Sequence, residues 1–490
     1  MGFNEKLGFT CMSYKATIVC QQLGQIGESM FENLLDIESD APIYRQLADH
    51  VLGLIASKRL VPGDRLPPQR EIARMADVNL TTVTRAFAIL HEKGVIDSRP
   101  GKGTVIAAPK IFVSPRSGVT EDDGICDLSI NRPATDAYLR AFQEILPRLS
   151  EDPRFEGTQD YHQPEGHLAI REAFAHWMSD ATGHSDPSRV TVVNGAQHGL
   201  ACALGAIASA GQVVLADSTT FQGFISLCAL RGVTLKPVTM DEEGMIPEAF
   251  AEACAQYAPV AVYLMPNYHN PTTITLSQER RDALVAIARA HNVIIIEDDV
   301  YRPLIKEPVA SIASRHPDIT VYVTSLSKCA AAGIRLGAVS APRRILRDIN
   351  AFLQTNCWST SFAIGLTVVQ LLEQDKLTSI IVEQMAELEA RHEILKKILP
   401  AEHLFSQPTA PHAWLTLPEP WRGSIFARAA QAAGVCVLSS DAFTISRNQT
   451  PVHAIRLNLN AARSREELTQ AAQTLYGLLE GGFRNVNIDA

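Results

Sequence analysis

The chain has 490 residues, of which 46% are hydrophobic and 20% are charged, and its formal net charge is -9 at pH 7. A chain of this length can bury more than one substantial core, so we expect one small and one large folded unit. Its nine cysteines include no Cys-x-x-Cys pair and no His/Cys cluster with metal-ligand spacing. This argues against a structural metal and favours free thiols in a reducing cytoplasm.

Residues 1–40 contain none of the motifs found further along and form a predicted N-terminal extension, either an extra helix or a disordered leader. Met12 and Met30 are alternative starts. The first residues have no apolar signal core. The longest uncharged stretch, residues 194–216, contains polar residues and glycines, which argues against a membrane span.

Residues 41–107 have the pattern of three helices followed by a hairpin. Apolar residues recur at helical spacing from Ile43 to Ile55, and a turn at residues 62–64 precedes a short helix from about Pro68 to Met75. Asn79 is suited to cap a third helix, and two short strands around a turn at residues 100–103 form a wing. The segment is a predicted winged helix-turn-helix.

The side of the third helix that faces away from its apolar residues is the expected DNA-reading surface. It carries Thr81, Thr82, Thr84 and Arg85, whose donors suit a major groove and its flanking phosphates. Arg70 on the second helix and Lys102 at the wing tip are expected to contact phosphates. An ordinary surface ion pair at Arg85 and a mobile loop charge at Lys102 are the alternatives.

The charge distribution agrees with that expectation. Residues 41–107 contain ten Lys and Arg against six Asp and Glu, a balance of +4, which leaves -13 for the remainder. A basic reader attached to an acidic body fits this division. Residues 108–125, with prolines, glycine and an acidic patch, form the predicted linker, and residues 126–490 form an α/β body of alternating strands and helices.

Two apolar runs in the body each end in a polar cluster. The run at residues 293–296 leads to Asp298 and Tyr301, and the run at residues 320–324 leads to Ser325, Ser327 and Lys328. Since ligands of open parallel sheets bind at the carboxyl ends of the strands, both clusters lie where a site is expected. Upstream, a strand runs into a glycine turn and a helix, which aims the backbone N–H groups of residues 195–197 at an anion.

The ordered set of motifs resembles the signature of fold-type I pyridoxal-phosphate enzymes, the aspartate aminotransferase superfamily. The resemblance implies pyridoxal 5'-phosphate as cofactor, with Lys328 forming its Schiff base, Asp298 on the ring nitrogen and Tyr301 on the phenolic oxygen. It assigns the remaining contacts of the cofactor to Asn270 beside Tyr301, Phe221 stacked on the ring, and a phosphate cradle of Gly195, Ala196, Gln197, Ser325, Ser327 and Arg335.

Three further positions follow from the same resemblance. Tyr161 would reach the phosphate bound by a partner subunit, which implies a homodimer, and Arg456 would bind the α-carboxylate of a substrate or effector. Thr273 stands where many transaminases have a glycine after Asn-Pro-Thr. The implied body has a large α/β domain and a small C-terminal α+β domain.

The N-terminal segment resembles the GntR family of bacterial regulators, on Leu66 to Ala73 and on Gly101 to Thr104. Many members begin the recognition helix with Ser-Arg, whereas this chain has Asn79-Leu80. A GntR reader joined to an aminotransferase-like body is the architecture of the MocR-like subfamily. The resemblance implies a regulator that responds to pyridoxal phosphate or an amino compound and binds an operator with spaced half-sites. A working class I/II aminotransferase with a secondary DNA-binding role is the alternative.

Overall fold

The computed structural model describes residues 42–57, 59–92, 95–99, 103–107, 124–133, 135–445 and 452–481. The chain divides into two compact units, Met1–Lys110 and Ile111–Ala490. The predicted extension at residues 1–40, the wing-tip residue Lys102 and most of the predicted linker lie outside the described residues.

The first unit consists of three helices and one hairpin within its described part. The helices are α1 (Ile43–Ala56), α2 (Gln69–Met75) and α3 (Leu80–Glu92), and β1 (Ile96–Arg99) pairs antiparallel with β2 (Gly103–Ile106). Asn79 begins α3, because its Oδ1 accepts a hydrogen bond from the backbone N–H of Thr81 at 3.0 Å. Apolar side chains from the three helices and the hairpin share one buried core. The predicted winged helix-turn-helix is confirmed.

The helices of the second unit surround its sheets. They are α4 (Ala137–Leu149), α5 (Leu168–Trp177), α6 (Ser179–Thr182), α7 (Ala196–Ile207), α8 (Gln222–Arg231), α9 (Pro247–Tyr257), α10 (Gln278–Ala290), α11 (Ile312–Arg315), α12 (Arg343–Cys357), α13 (Phe362–Glu373), α14 (Lys376–Ile398), α15 (Gly423–Ala432) and α16 (Arg465–Gly481). Short 3-10 turns lie at Pro153–Gln159, Pro187–Arg189, Arg302–Leu304, Ala332–Ile334, Ser440–Ala442 and Leu459–Ala461.

The strands of this unit fall into a large sheet and several smaller ones. They are β3 (Cys126–Asp127), β4 (Val190–Val193), β5 (Val213–Asp217), β6 (Thr234–Val238), β7 (Met240–Asp241), β8 (Gly244–Met245), β9 (Ala261–Leu264), β10 (Ile294–Asp298), β11 (Thr320–Ser325), β12 (Gly337–Ser340), β13 (Leu404–Phe405), β14 (His412–Thr416), β15 (Val435–Cys436), β16 (Leu438–Ser439) and β17 (Ala454–Asn458).

The large sheet has the strand order β4-β12-β11-β10-β9-β5-β6 within the described residues. Strands β11, β10, β9, β5 and β6 run parallel to one another, whereas β12 is antiparallel to both β11 and β4. Its central strands are buried on both faces, as the continuous apolar runs predict. The carboxyl ends of β10 and β11 therefore lie side by side at one edge.

A small domain completes the second unit. Strands β13, β14, β17 and β16 form an antiparallel sheet, and β3 pairs with β15. Side chains from α14, α15, α16 and these strands share a separate core. The predicted α/β body with a large and a small domain is confirmed.

The described cysteines are free thiols, and six of the seven are buried, whereas Cys357 at the end of α12 is half-buried. Burial raises the pKa of the thiols of Cys126, Cys202, Cys228 and Cys329 to about 12. Among the described residues, no cluster of side chains could hold a metal ion. None of the described helices combines the length and apolar character that a membrane crossing requires.

Helix α3 offers a matched pair of leucines for testing the core of the first unit. Leu90 is fully buried and Leu80 is 39% exposed. We expect Leu90→Ala to lower the unfolding free energy of this unit by about 2–5 kcal/mol, because it leaves a cavity. Leu80→Ala should change it by less than about 0.5 kcal/mol. Hydrogen exchange of the backbone amides in the full chain measures both values, and equal losses would contradict the packing described above.

Candidate functional site

A cavity of about 280 Å³ lies at the carboxyl edge of the large sheet. Its walls come from the residues that follow β10 and β11, from the beginning of α7, and from β17. The lining residues are Ser129, Ile130, Asn131, Ala196, Gln197, Phe221, Gln222, Met265, Asn270, Asp298, Val300, Tyr301, Ser325, Ser327, Lys328, Arg335 and Arg456. The cavity thus gathers most of the residues that the sequence motifs single out.

Lys328 lies at this cavity three residues after the end of β11. Its Nζ donates a hydrogen bond to the backbone oxygen of Asn131 at 2.9 Å. The pKa of the Lys328 ammonium is lowered to about 8. Burial is the largest cause, and the positive charges of Arg456 and Arg335 contribute to the same shift. With this pKa, about a tenth of the amine is neutral and nucleophilic at pH 7.

Asp298 ends β10 and is fully buried. Its Oδ2 accepts a hydrogen bond from the hydroxyl of Tyr263 at 2.7 Å, whereas its Oδ1 has no partner among the described residues. Burial raises the pKa of the Asp298 carboxyl to about 7, against the hydrogen bond from Tyr263, which lowers it. A carboxylate with one unsatisfied oxygen at a cavity is suited to pair with a cationic or N–H group of a ligand.

Tyr301 lies three residues after Asp298 and is also buried. Its hydroxyl accepts a hydrogen bond from Asn131 Nδ2 at 2.7 Å, which leaves its own proton available for an acceptor in the cavity. Burial raises the pKa of the Tyr301 phenol, so the group stays protonated at neutral pH.

The beginning of α7 and Arg335 form a potential anion site. Gly195 precedes α7 with a φ of 78°, and a Cβ at this position would lie 2.8 Å from Arg335 Nη2. Arg335 also donates to Ser327 Oγ and to the backbone oxygen of Asn194, both at 3.2 Å. No carboxylate forms an ion pair with Arg335 within the described part of the chain. Backbone N–H groups, hydroxyls and a guanidinium thus converge as a phosphate requires.

Arg456 reaches the cavity from the small domain, on β17. It is 2% exposed, and it donates to Asn270 Oδ1 at 2.9 Å and to the backbone oxygen of Ser129 at 2.8 Å. Its guanidinium lies 4.9 Å from the centre of the Phe443 ring, and its Nε has no partner among the described residues. Burial lowers the pKa of Arg456 to about 10, so the group is a buried cation that an anion would stabilise.

A polar network beneath the cavity holds the loop that carries Asn270. Arg281 is fully buried and donates to the backbone oxygen of Pro266 at 3.1 Å and to Asn267 Oδ1 at 2.7 Å. Asn267 in turn donates to Asp299 Oδ1 at 2.6 Å. Thr273, at the position where many transaminases have glycine, has a φ of 65°. This left-handed conformation costs a β-branched residue strain and explains why glycine suits the position.

Phe221, implied to stack on the ring, is half-buried and lines the cavity next to α8. Tyr161 does not line the cavity: it is 89% exposed and its ring lies 5.5 Å from that of Trp358. A role for Tyr161 in this site would therefore need a second subunit.

Two residues that line the cavity and one that supports it carry no signal in the sequence motifs. Asn131 and Ser129 act through backbone oxygens that accept from Lys328 and Arg456, and no side-chain pattern indicates such contacts. Tyr263 lies within the apolar run of β9, where a tyrosine is easily taken for a core residue. The signal that could have identified it is its place in the strand: Tyr263 pairs with Ile296, so its side chain lies on the same face of the sheet as Asp298.

The expected DNA-reading face belongs to the first unit. Arg70, Thr81, Thr84 and Arg85 are exposed, and Thr82 is half-buried. Thr84 Oγ1 donates to the backbone oxygen of Leu80 at 2.9 Å and contacts Gln69 Oε1 at 3.1 Å, which ties α3 to α2. The exposed side of α3 thus carries short polar side chains and one basic side chain.

Family models match two segments of the chain. The model described as aminotransferase class I and II matches residues 123–475, and the model described as bacterial regulatory proteins, gntR family, matches residues 43–106. The two matched segments lie one in each compact unit.

Curated relatives match most of the chain. The uncharacterized HTH-type transcriptional regulator YdeF of Bacillus subtilis is 26% identical over 90% of this chain and 96% of its own length. The vitamin B6 salvage pathway transcriptional repressor PtsJ of Salmonella typhimurium is 27% identical over 88% and 98%. The probable rhizopine catabolism regulatory protein MocR of Rhizobium meliloti is 24% identical over 64% and 68%.

Solved structures match the body. An archaeal alanine:glyoxylate aminotransferase superposes with a TM-score of 0.67 at 20% identity, over 73% of this chain and 91% of that one. The kynurenine aminotransferase of Pyrococcus horikoshii gives a TM-score of 0.67 at 20% identity, over 74% and 92%. At this identity the likeness establishes the aminotransferase fold, which confirms the fold that the motifs predict.

The lowered pKa of Lys328 predicts a pH dependence of stability. The unfolded amine binds its proton with a pKa near 10.5, and the folded amine with one near 8. The unfolded state therefore binds more protons between these values, and stability rises with pH across them. For ligand-free protein, the unfolding free energy of wild type relative to Lys328→Met should rise by about 3 kcal/mol between pH 7 and pH 10.5.

Denaturant titrations at several pH values measure this difference. The exposed Lys306 supplies the control, because Lys306→Met should follow the pH dependence of the wild type. A constant difference between wild type and Lys328→Met would show that the amine is solvated.

Proposed function

Because the chain belongs to the aminotransferase class I and II family and carries a GntR-family segment, we propose that it is a MocR-type transcriptional regulator controlled by pyridoxal 5'-phosphate. The convergence of Lys328, Asp298, Arg335 and Arg456 on one cavity carries this proposal. The relatives that span both segments are named as transcriptional regulators, and one of them as a vitamin B6 salvage pathway repressor.

The residues present fit the cofactor. Asp298 Oδ1 lacks a partner within the described chain, as a carboxylate reserved for a ring nitrogen would. A Cβ at Gly195 would obstruct Arg335, so the glycine keeps a cradle open that an anion can enter. Ser325 and Ser327 are buried beside it and add hydroxyl donors. Phosphate, ring and aldehyde therefore have complementary groups in the cavity.

When bound, pyridoxal phosphate supplies an aldehyde that condenses with primary amines and a ring that withdraws electrons. Lys328 is the amine of this chain that would hold the aldehyde, because it is partly neutral at physiological pH. Tyr301, oriented by Asn131, would donate its proton to the phenolic oxygen, with Asn270 beside it. Phe221 would cover one face of the ring and exclude water.

Arg456 would bind the carboxylate of an amino compound. In the described structure its guanidinium is held by Asn270 and by the backbone oxygen of Ser129. An incoming carboxylate would compete for these donors, while the incoming amine would compete with Lys328. Both exchanges alter contacts of residues 129–131, and only such differential contacts can shift a conformational equilibrium.

The first unit would read DNA with α3. Thr81, Thr82, Thr84 and Arg85 would face the major groove and its flanking phosphates, and Arg70 would contact phosphate. Lys102 at the wing tip would add a second phosphate contact. We further propose a homodimer, in which two readers bind spaced half-sites and the exposed Tyr161 reaches the phosphate site of the partner.

A catalytic aminotransferase is the second candidate, because the cavity unites an amine, a ring-side carboxylate and a carboxylate-binding arginine. The two candidates separate when protein loaded with pyridoxal phosphate is mixed with a panel of amino acids. Amino-group transfer and operator affinity are followed together. Multiple turnover with unchanged operator affinity supports the enzyme, and a change in affinity with at most one turnover supports the regulator.

Loss of the Lys328 amine should abolish covalent capture of the cofactor. We expect wild type to turn yellow with pyridoxal phosphate and to retain the cofactor after borohydride reduction, whereas Lys328→Ala does neither. Visible absorbance and intact-protein mass measure both. Lys306→Ala removes an exposed lysine and should behave as wild type. Capture in Lys328→Ala would assign the site to another amine.

Loss of Arg85 should remove one phosphate contact from the reader. The slope of log affinity against log salt should become shallower by about 0.9, because about one counterion fewer is released. Fluorescence anisotropy with DNA from the region upstream of the protein's own gene measures the slope. Arg347→Ala, at an 81% exposed arginine of the second unit, removes the same charge as a control. Equal slopes for Arg85→Ala and wild type would exclude Arg85 from the interface.

A further inference from the structure

The side chains of Tyr263 and Asp298 meet inside the large sheet. Tyr263 on β9 pairs in register with Ile296 on β10, so Asp298, two residues later, projects from the same face. The tyrosine hydroxyl donates to Asp298 Oδ2 at 2.7 Å, and both side chains are buried. This contact is buried inside the protein.

Packing fixes the orientation of the tyrosine. The ring of Phe224, from α8, stacks on the Tyr263 ring with centroids 3.9 Å apart and an angle of 8° between the ring planes. A hydroxyl on an immobilised ring is a directional donor, because its position costs no further side-chain entropy. Tyr263 can therefore hold the carboxylate in one rotamer.

The two oxygens of Asp298 have different surroundings. Tyr263 occupies Oδ2, whereas Oδ1 has no partner among the described residues, and Asp298 lines the cavity. The carboxylate is thus held through one oxygen and left open at the other. A ligand group in the cavity meets a carboxylate that is already oriented.

We propose that Tyr263 is a positioning residue that orients the Asp298 carboxylate and keeps it ionised, so that the proton between Asp298 and the ring of pyridoxal phosphate stays on the ring nitrogen. This inference rests on the proposed cofactor. Tyr263 itself does not line the cavity, and it would act through Asp298.

The electrostatic surroundings explain why such support is needed. Burial raises the pKa of Asp298 to about 7, and the negative charge of Asp299 raises it too. The hydrogen bond from Tyr263 is the first of the opposing influences, ahead of the backbone N–H of Val300 and the Lys328 ammonium. The titratable groups that face the Tyr263–Asp298 pair are Asp217 from β5, Asp299 and Tyr301 after β10, and Lys328 after β11. Without the tyrosine, the proton would move towards Asp298.

Tyr263→Phe tests the proposal, because it removes the hydroxyl and keeps the ring. The protein is loaded with pyridoxal phosphate labelled with nitrogen-15 in the ring, and the ring-nitrogen chemical shift is followed from mildly acidic to mildly alkaline pH. In the wild type we expect a protonated ring nitrogen. In the variant the signal should move towards that of a neutral pyridine, and cofactor affinity should fall about ten-fold, as expected for loss of a hydrogen bond to a charged group.

Tyr322→Phe is the matched control. Tyr322 is as buried as Tyr263 and lies on the neighbouring strand β11, but its hydroxyl bonds to Asp299 instead of Asp298. This variant should lose stability for the same general reasons and leave the ring-nitrogen signal unchanged. An equal shift in both variants would reduce Tyr263 to a structural residue and overturn the proposal.

A second variant covers the case in which Tyr263→Phe does not fold. Replacing Tyr263 with 3-fluorotyrosine keeps the shape and makes the phenol a stronger donor. We expect the ring nitrogen to hold its proton to higher pH than in the wild type, and an unchanged titration would overturn the proposal. Failure of the wild type to bind pyridoxal phosphate at all would instead refute the proposed function.

Discussion

The cost of burying charge dominates the second unit. Lys328, Asp298 and Arg456 surround one cavity. Burial lowers the pKa of Lys328 and Arg456 and raises that of Asp298, so it favours the neutral form of each group. Asp298 Oδ1 and Arg456 Nε have no partner within the described residues, although nearly all buried polar groups in proteins have one. A fold keeps such groups only when packing elsewhere outweighs their cost. The large sheet and the helices packed against it supply that packing, and a ligand with complementary groups recovers part of the lost solvation.

The scaffold is polar as well as apolar at this edge. Glu297, immediately before Asp298, is fully buried and accepts hydrogen bonds from the backbone N–H groups of Ile312 and Ala313 at 2.9 and 2.8 Å. It thereby caps α11, while Arg281 secures the loop before Asn270. Successive residues of one strand thus point in turn to a helix cap and to the cavity, because side chains alternate across a strand. The same alternation explains how β10 can stabilise the fold and supply the site.

The sequence predicted the elements and the lining of the cavity well where the signal is local. The apolar runs before Asp298 and Lys328 gave the strands, and the order of the polar residues after them gave their common edge. Contacts between distant segments were not predictable. Asn131 meets Lys328 across 197 positions of chain, through a backbone oxygen that any residue type would offer. Tyr263 lies in an apolar run and therefore looks like an ordinary core residue. Only the register of β9 against β10 identifies Asp298 as its partner.

The thiols have a practical consequence for the chemistry of the molecule. With their pKa near 12, the buried sulfhydryls of Cys126, Cys202, Cys228 and Cys329 are almost entirely uncharged at neutral pH. They react slowly with electrophiles, because the thiolate is the nucleophilic form. Cys357 alone among the described cysteines is partly accessible. In the described part of the chain, a maleimide dye would therefore select Cys357, at the end of the helix that packs on α7. A fluorophore attached there would sit beside Asn194 and report movement of the anion cradle.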